Sequence, residues 1–241
     1  MFDFKYILFI FVIFTAMFIQ SLVGFGGNPI AMPFGIILVG VTLAKPVMTI
    51  LAAVLGFVVA IKEIRHINWK ELGKMSAVMI VGLALGLWVF KTVELDFLLV
   101  IYGITVVIIG AKKLFFPSEK EAHPALQYTA LGLAGLMQGL FVSGGCFLAV
   151  YSVARLKDKQ EFRATSNAIW GVLNALLIIT YFFDGSITDE VLITCGICIV
   201  PVFIIAWLAG ILAKRINQKT FLKAAYVILM ISGSVLLVSN L

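Results

Sequence analysis

The sequence predicts an all-α polytopic membrane protein made of two inverted repeats, each a broken or re-entrant helical hairpin followed by three transmembrane helices. Three observations lead there. Of 241 residues, 62% are hydrophobic and only 12% charged, against roughly 25% charged in an ordinary soluble domain, so the chain has too little polar surface to solvate a globule of its size. Its basic residues gather in short loops between long apolar segments. Finally, Gln-Ser-Leu-Val-Gly-Phe-Gly-Gly (Gln20 to Gly27) recurs 118 positions later as Gln-Gly-Leu-Phe-Val-Ser-Gly-Gly (Gln138 to Gly145), and the same offset carries Lys45 onto Arg163.

The elements follow in order. The first apolar run, 6–40, is too long for one straight crossing, which needs about 20 residues, and Gly26-Gly27 interrupts it near the middle. Its leading segment sets Asp3 against Lys5 and no small-x-small site follows. It therefore reads as a retained membrane element and not as a cleaved signal. Runs 46–61, 75–90 and 97–111 are short, so their helices should extend into the flanking loops. Run 125–154 is again too long and carries Gly144-Gly145 at its centre, with Ser143 to Gly145 as the turn; runs 164–183, 191–213 and 224–239 follow. Helix is required because backbone groups in lipid must bond within their own segment.

Loop charge sets the orientation. Lys62, Arg65, Lys70 and Lys74 mark one cytoplasmic loop; Lys112, Lys113 and Lys120 a second; Arg155, Lys157, Lys159 and Arg163 a third; Lys214, Arg215, Lys219 and Lys223 a fourth. The loops at 91–96 and 184–190 hold Glu94, Asp96, Asp184, Asp189 and Glu190 against Lys91, and the positive-inside rule makes them external. Run 125–154 must then enter and leave on the cytoplasmic side. Treating run 6–40 likewise places Lys45 and both termini outside. Each half has an odd net number of crossings, so residues 1–113 and 122–241 are inverted relative to each other within one integrated domain. Charge does not separate re-entrant from fully crossing hairpins; re-entrant arms would bring both Gly-Gly tips to the midplane.

Paired breaks at corresponding places in two halves are the sequence pointer to a transport site. Each tip ends at a helix N-terminus, whose free N–H groups and dipole favour an anion. Phe25-Gly26-Gly27-Asn28-Pro29 unwinds and restarts a helix, with Pro29 suited to a first turn; Ser143-Gly144-Gly145-Cys146 is its counterpart. Lys45 and Arg163 each stand just before an apolar helix, where a cation opposes the macrodipole unless an anion is shared. Snorkelling to headgroups is the structural alternative. Thr165, Ser166 and Asn167 follow Arg163, with Thr49 the nearest equivalent in the first half. Gln20 and Gln138 precede the tips, and a glutamine in lipid needs a partner. The scattered glycines Gly82 and Gly86 form a small-xxx-small pattern suited to helix contact.

Other classes are disfavoured. The net charge of +6 sits in short loops, which fits membrane orientation and anionic headgroups and not nucleic acid. Cys146, Cys195 and Cys198 lie in apolar runs, so no disulfide framework or metal site is expected, and packing is the simplest use of Cys195 and Cys198. No Asp, Glu or His falls within an apolar run, which removes the proton relays and acid–base groups that an enzyme would need. No cofactor is implied.

The duplicated Gly-rich turns and the helix opening Arg163-Ala164-Thr165-Ser166-Asn167 resemble the TauE/SafE sulfite exporter family over essentially the whole chain. Asn28 and Cys146 stand where that family's turn often has another glycine, and Lys45-Pro46-Val47-Met48-Thr49 replaces a clear Arg-Ala-Thr-Ser run. The resemblance implies export or import of sulfite, or of a sulfonate such as sulfoacetate, isethionate or taurine, at the inner membrane; a negative interior favours export of an anion, and the paired tips suggest alternating access around them. An anion channel and a non-transporting structural membrane protein stay open as alternatives, as does a homo-oligomer. The expected substrate-binding residues are Gln20, Gly26, Gly27, Asn28, Lys45, Thr49, Gln138, Ser143, Gly144, Gly145, Cys146, Arg163, Thr165, Ser166 and Asn167.

Overall fold

A computed structural model of the chain describes residues 4–115, 123–156 and 158–212, together with Met230, Ser234 and Val238. The described residues form α-helices and one 3-10 turn, with no strand among them. The order is α1 (Phe4–Val23), α2 (Gly27–Val39), α3 (Val41–Lys62), the turn Ile64–His66, α4 (Trp69–Thr92), α5 (Leu95–Phe115), α6 (Pro124–Phe141), α7 (Gly145–Arg155), α8 (Lys159–Phe183) and α9 (Asp189–Leu212). Five of them, α1, α3, α4, α8 and α9, are long and apolar enough to cross a membrane. The run 224–239, the loop cations Lys120, Lys157, Lys214, Arg215, Lys219 and Lys223, and the two termini lie outside the described residues.

Helix boundaries follow local chemistry. Both long apolar runs break where expected, giving α1–α2 and α6–α7, and α2 and α7 both start on the second glycine of their pair. The short runs do extend into their flanks: α3 opens at Val41 behind Gly40, and α4 opens at Trp69, where the Asn68 side chain caps the first turn by accepting from the Glu71 N–H. Asp158 caps α8 by accepting from the Gln160 and Glu161 N–H groups. These bonds, that to Glu161 foremost, hold its carboxyl below the usual carboxylate range. One consequence corrects the sequence reading. Lys45 and Arg163 do not precede their helices; each lies in the second turn of one, because α3 and α8 start four residues before them.

The packing exchanges elements between the halves. One core cluster joins Phe9, Met17, Met32, Met48 and Leu55 of α1 to α3 with Cys195, Cys198 and Val202 of α9. A second joins Leu131, Ala134, Leu148, Ile169 and Leu177 of α6 to α8 with Met75, Met79 and Leu83 of α4. Each hairpin is thus braced by a helix from the opposite half. The α4–α6 contact is backbone on backbone. A Cβ at Gly82 would lie 2.3 Å from the Gly132 carbonyl oxygen, and one at Gly86 2.2 Å from that of Leu136. Gly82 and Gly86 therefore pack as the small-xxx-small pattern predicts. Outward-facing Phe11, Trp88, Phe182, Ile204 and Trp207 leave a large apolar exterior, as lipid contact requires.

Helices α3 and α8 run antiparallel through the centre. Glu63 meets Arg163 at one end, and a Cβ at Gly56 would touch the Gly171 backbone at 2.7 Å in the middle. The same end as Glu63 and Arg163 gathers Asn68, which donates to Glu161 at 2.5 Å, and Arg155, which donates to Gln127 at 3.0 Å. The opposite end gathers the Lys91–Asp184 ion pair at 3.8 Å and a Tyr6–Thr194 hydrogen bond.

Candidate functional site

The two chain breaks touch. A Cβ at Gly145 would lie 3.0 Å from the Gly26 nitrogen, 3.4 Å from Cβ of Phe25 and 3.5 Å from Cγ of Pro29. Residues 118 apart create the breaks in backbone terms too, since Gly24 (φ +90°) and Val142 (φ +55°) both turn left-handed. In the first half Gly26 is left-handed as well (φ +90°), a conformation open to glycine without steric penalty. Val142 has a Cβ and adopts it as the C-cap of α6, with its N–H returned to the Gln138 and Met137 carbonyls.

Between the breaks lies a cavity lined by Gln20, Gly26, Asn28, Pro29, Gln138, Val142, Gly145, Trp170 and Asn174. About 10 Å³ is open to the centre of a water molecule, room for roughly one water. Its lining is amide-rich and unusually unsatisfied. Gln138 Nε2 donates to Asn174 Oδ1 at 2.7 Å, and Gln138 Oε1 accepts from the Gly144 N–H at 3.4 Å. Among the described residues, Gln20 Nε2, Asn28 Oδ1 and Asn174 Nδ2 are buried without a partner, and an unmet buried polar group costs about 1–3 kcal/mol. The helices α2 and α7 start beside the cavity, with Gly26 and Gly145 in its lining. Cavity and breaks together offer several N–H donors and no charged side chain.

The four tip glycines divide by role. Gly26 and Gly145 line the cavity. Gly27 and Gly144 instead press on their own hairpin: a Cβ at either would fall 2.1 Å from a backbone oxygen, of Ala16 and of Ala134 respectively. Ala16 and Ala134 are themselves 118 residues apart.

Arg163, Ser166 and Asn167 form a second group beside the first break. Arg163 Nε donates to the Ser21 carbonyl at 2.5 Å and Nη1 pairs with Glu63. Asn167 donates to the Arg163 carbonyl at 2.9 Å, and Trp170 Nε1 to the Gly24 carbonyl at 2.9 Å. Among the described residues, Ser21 Oγ, Ser166 Oγ and Asn167 Oδ1 are buried without partners. Arg163, Ser166, Asn167, Trp170 and Asn174 fall at helical spacing along one side of α8, so this polar stripe leads from the cavity to the Arg163–Glu63 pair.

Other expected residues lie elsewhere. Lys45 is at the far end of α3, buried, with its ammonium 3.4 Å over the Phe90 ring. Among the described residues it makes no ion pair, and Asp184 and Lys91 are the charges that act on it. Thr49 donates back to the Lys45 carbonyl at 2.8 Å. Thr165 accepts from the Asn68 N–H at 2.9 Å and so ties α8 to α4. Ser143 is 2.6 Å from the Tyr102 hydroxyl and donates to the Phe141 carbonyl at 2.8 Å. Cys146 is buried in the first core cluster.

Sequence reasoning missed Asn174, Trp170, Tyr102 and Glu63. Asn174 was visible as an amide inside an apolar run, seven residues beyond Asn167. Glu63 was hidden in what read as a solvated basic loop. So was Glu71, which in fact lies in the first turn of α4, buried, accepting from the Tyr151 hydroxyl and Lys74 at 2.7 Å each. Among the described residues no group of His, Cys, Asp or Glu is arranged to hold a metal.

The sequence profile of the sulfite exporter TauE/SafE family matches residues 8–236, nearly the whole chain. A probable inner membrane transporter protein TsaS from Comamonas testosteroni is 25% identical over 172 residues, covering 70% of this chain and 72% of that protein. No solved structure matches. The family and this relative are transporters and not enzymes.

Proposed function

The chain belongs to the sulfite exporter TauE/SafE family, and on that premise we propose that it carries a small sulfur-containing oxyanion, sulfite or a sulfonate, outward across the inner membrane. The anion sits between the two chain breaks. One observation carries this reading: the donors of Gln20 and Asn174 are buried without partners beside the start of α2 and of α7. Neutral amide and backbone N–H groups stabilise an anion without holding it as tightly as a fixed cation would. A carrier must release what it binds.

Alternating access follows from the inverted arrangement. Support comes from the starts of α2 and α3, which recur in α7 and α8 at one offset, from the antiparallel α3–α8 axis and from bracing helices exchanged between halves. At about 1.5 Å per residue, the 13 residues of α2 and the 11 of α7 climb about 20 Å or less. That is short of the roughly 30 Å hydrocarbon core, so α2 and α7 do not cross it upright; with α1 and α6 tilted, both hairpins re-enter from opposite faces and their tips meet near the midplane. The end holding Lys62, Arg65, Lys74, Arg155 and Arg163 faces the cytoplasm. A cavity with room for one water cannot admit a sulfur oxyanion, so loading requires the hairpins to part. A channel would need a continuous path, and the closed junction disfavours it. Export is downhill for an anion leaving a negative interior, by about 2.3 kcal/mol per charge per 100 mV.

The test is equilibrium binding on purified protein with sulfite, sulfoacetate, isethionate, taurine and sulfate, followed by flux into liposomes. Saturable flux with counter-flow is expected for a sulfite or sulfonate. Non-saturating flux would establish a channel. Absence of binding to all five would remove the transport site from the breaks.

A further inference from the structure

The polar stripe on α8 ends at an ion pair that the reading above does not use. Glu63, the C-cap of α3, holds Arg163 through one oxygen; its Oε2 is buried with no partner among the described residues. Lys62 points to the same place: a Cβ at Gly210 of α9 would lie 3.4 Å from Lys62 Nζ and 3.9 Å from Arg163 Nη2. Two cations therefore end beside the same point on α9, where Glu63 pairs with Arg163. Between this point and the cavity, Ser21, Ser166 and Asn167 each bury an unpartnered polar atom.

We propose that Arg163 and Lys62 form a second anion station at the cytoplasmic mouth, and that Glu63 is its tethered occupant. Resting on the transport reading above, the mechanism is exchange. An entering oxyanion takes the place of the Glu63 carboxylate on Arg163, passes along Ser166 and Asn167, and leaves Glu63 to close behind it. The pair is single-armed where Arg could bind a carboxylate through two parallel bonds, so it is built to be exchanged. The Arg163 bond to the Ser21 carbonyl ties the same event to the first break, because Ser21 lies in the last turn of α1. Occupancy of the mouth and the position of the first hairpin are thereby linked.

A tethered competitor lowers apparent affinity by the fraction of time it holds the seat. Sulfite affinity of the purified full chain should therefore rise about fivefold or more in Glu63→Gln. Glu63→Asp keeps the charge, and with it the fold, while shortening the reach; it should show a smaller gain. In the Glu63→Gln background, Arg163→Gln should cancel the gain. Unchanged or weaker sulfite binding in both Glu63 variants overturns the proposal, and Glu63→Asp alone decides if Glu63→Gln does not fold. Gln20→Leu and Asn174→Ala, measured alongside, separate the two ideas. Loss of affinity there with no gain at Glu63 leaves the cavity and removes the second station. A gain at Glu63 with wild-type affinity in the cavity variants does the reverse.

Discussion

Replacing Gly145 by alanine places one methyl group in the gap between the two chain breaks. The new Cβ would lie 3.0 Å from the Gly26 nitrogen, so the neighbours must give by a few tenths of an ångström. Gly145 is not left-handed, and alanine at a compatible site gains about 0.4–1 kcal/mol by restricting the unfolded chain. These effects oppose each other, and the melting temperature should stay close to that of the wild type. Binding should not. The methyl covers the Gly26 N–H, and a hydrogen bond to a charged partner contributes about 1.5–3 kcal/mol. At 1.4 kcal/mol per factor of ten, affinity falls about 10- to 100-fold. Gly144→Ala is the contrast, since its Cβ would lie 2.1 Å from a backbone oxygen that cannot retreat. Overpacking costs about 1–3 kcal/mol and sometimes more, so that variant should lose folded protein and not affinity per folded molecule. Melting temperature and sulfite Kd measured on the same preparation decide it. A destabilised Gly145→Ala protein with wild-type affinity would show that the tips meet only to pack.

Other outcomes follow from neighbouring groups. Gln20→Leu removes a buried donor without a partner, so thermal stability should hold or rise by about 1 kcal/mol while sulfite affinity drops about tenfold; a stability loss with unchanged affinity would assign Gln20 to the scaffold. Arg163→Ala should reduce liposome flux more than Lys45→Ala. It strands a partly buried Glu63 carboxylate and frees the Ser21 carbonyl, whereas Lys45 gives up one ring contact; equal, wild-type-like flux in both would assign both cations to the scaffold. Cysteines placed at Arg65 and at Ser186 should differ in intact cells, with an impermeant thiol reagent reaching Ser186→Cys alone; labelling of both from outside would refute the orientation.

Periodicity and composition made the helical scaffold legible, and the 118-residue offset made both breaks legible, because backbone that unwinds in lipid needs glycine or a polar partner that stands out against apolar neighbours. Gln20 and Gln138 could be placed beside the tips for that reason. Tertiary pairing was not legible. Lys45 and Arg163 looked equivalent by offset, yet one sits over Phe90 and the other on Glu63, because partners on other elements decide what a cation does. The tip glycines looked alike in sequence; only the approach of Ala16 and Ala134 separates packing positions from cavity positions. Glu63 and Glu71 were lost to the reading because a carboxylate among lysines resembles solvated surface until helix ends are fixed.

The bracing of each hairpin by a helix from the other half bears on how the protein is made. When the first half emerges from the ribosome and enters the bilayer, the Ser21 and Gly24 carbonyls have left the helical ladder. Their donors, Arg163 and Trp170, have not been synthesised. The α1 surface later covered by α9 meets only lipid until residue 189 and beyond arrive. The first half therefore waits in the membrane as an unfinished substrate for quality control until α8 supplies its donors and α9 covers α1. A truncation anywhere before α8 leaves a protein that inserts but does not close, and the cell should degrade it as an orphan.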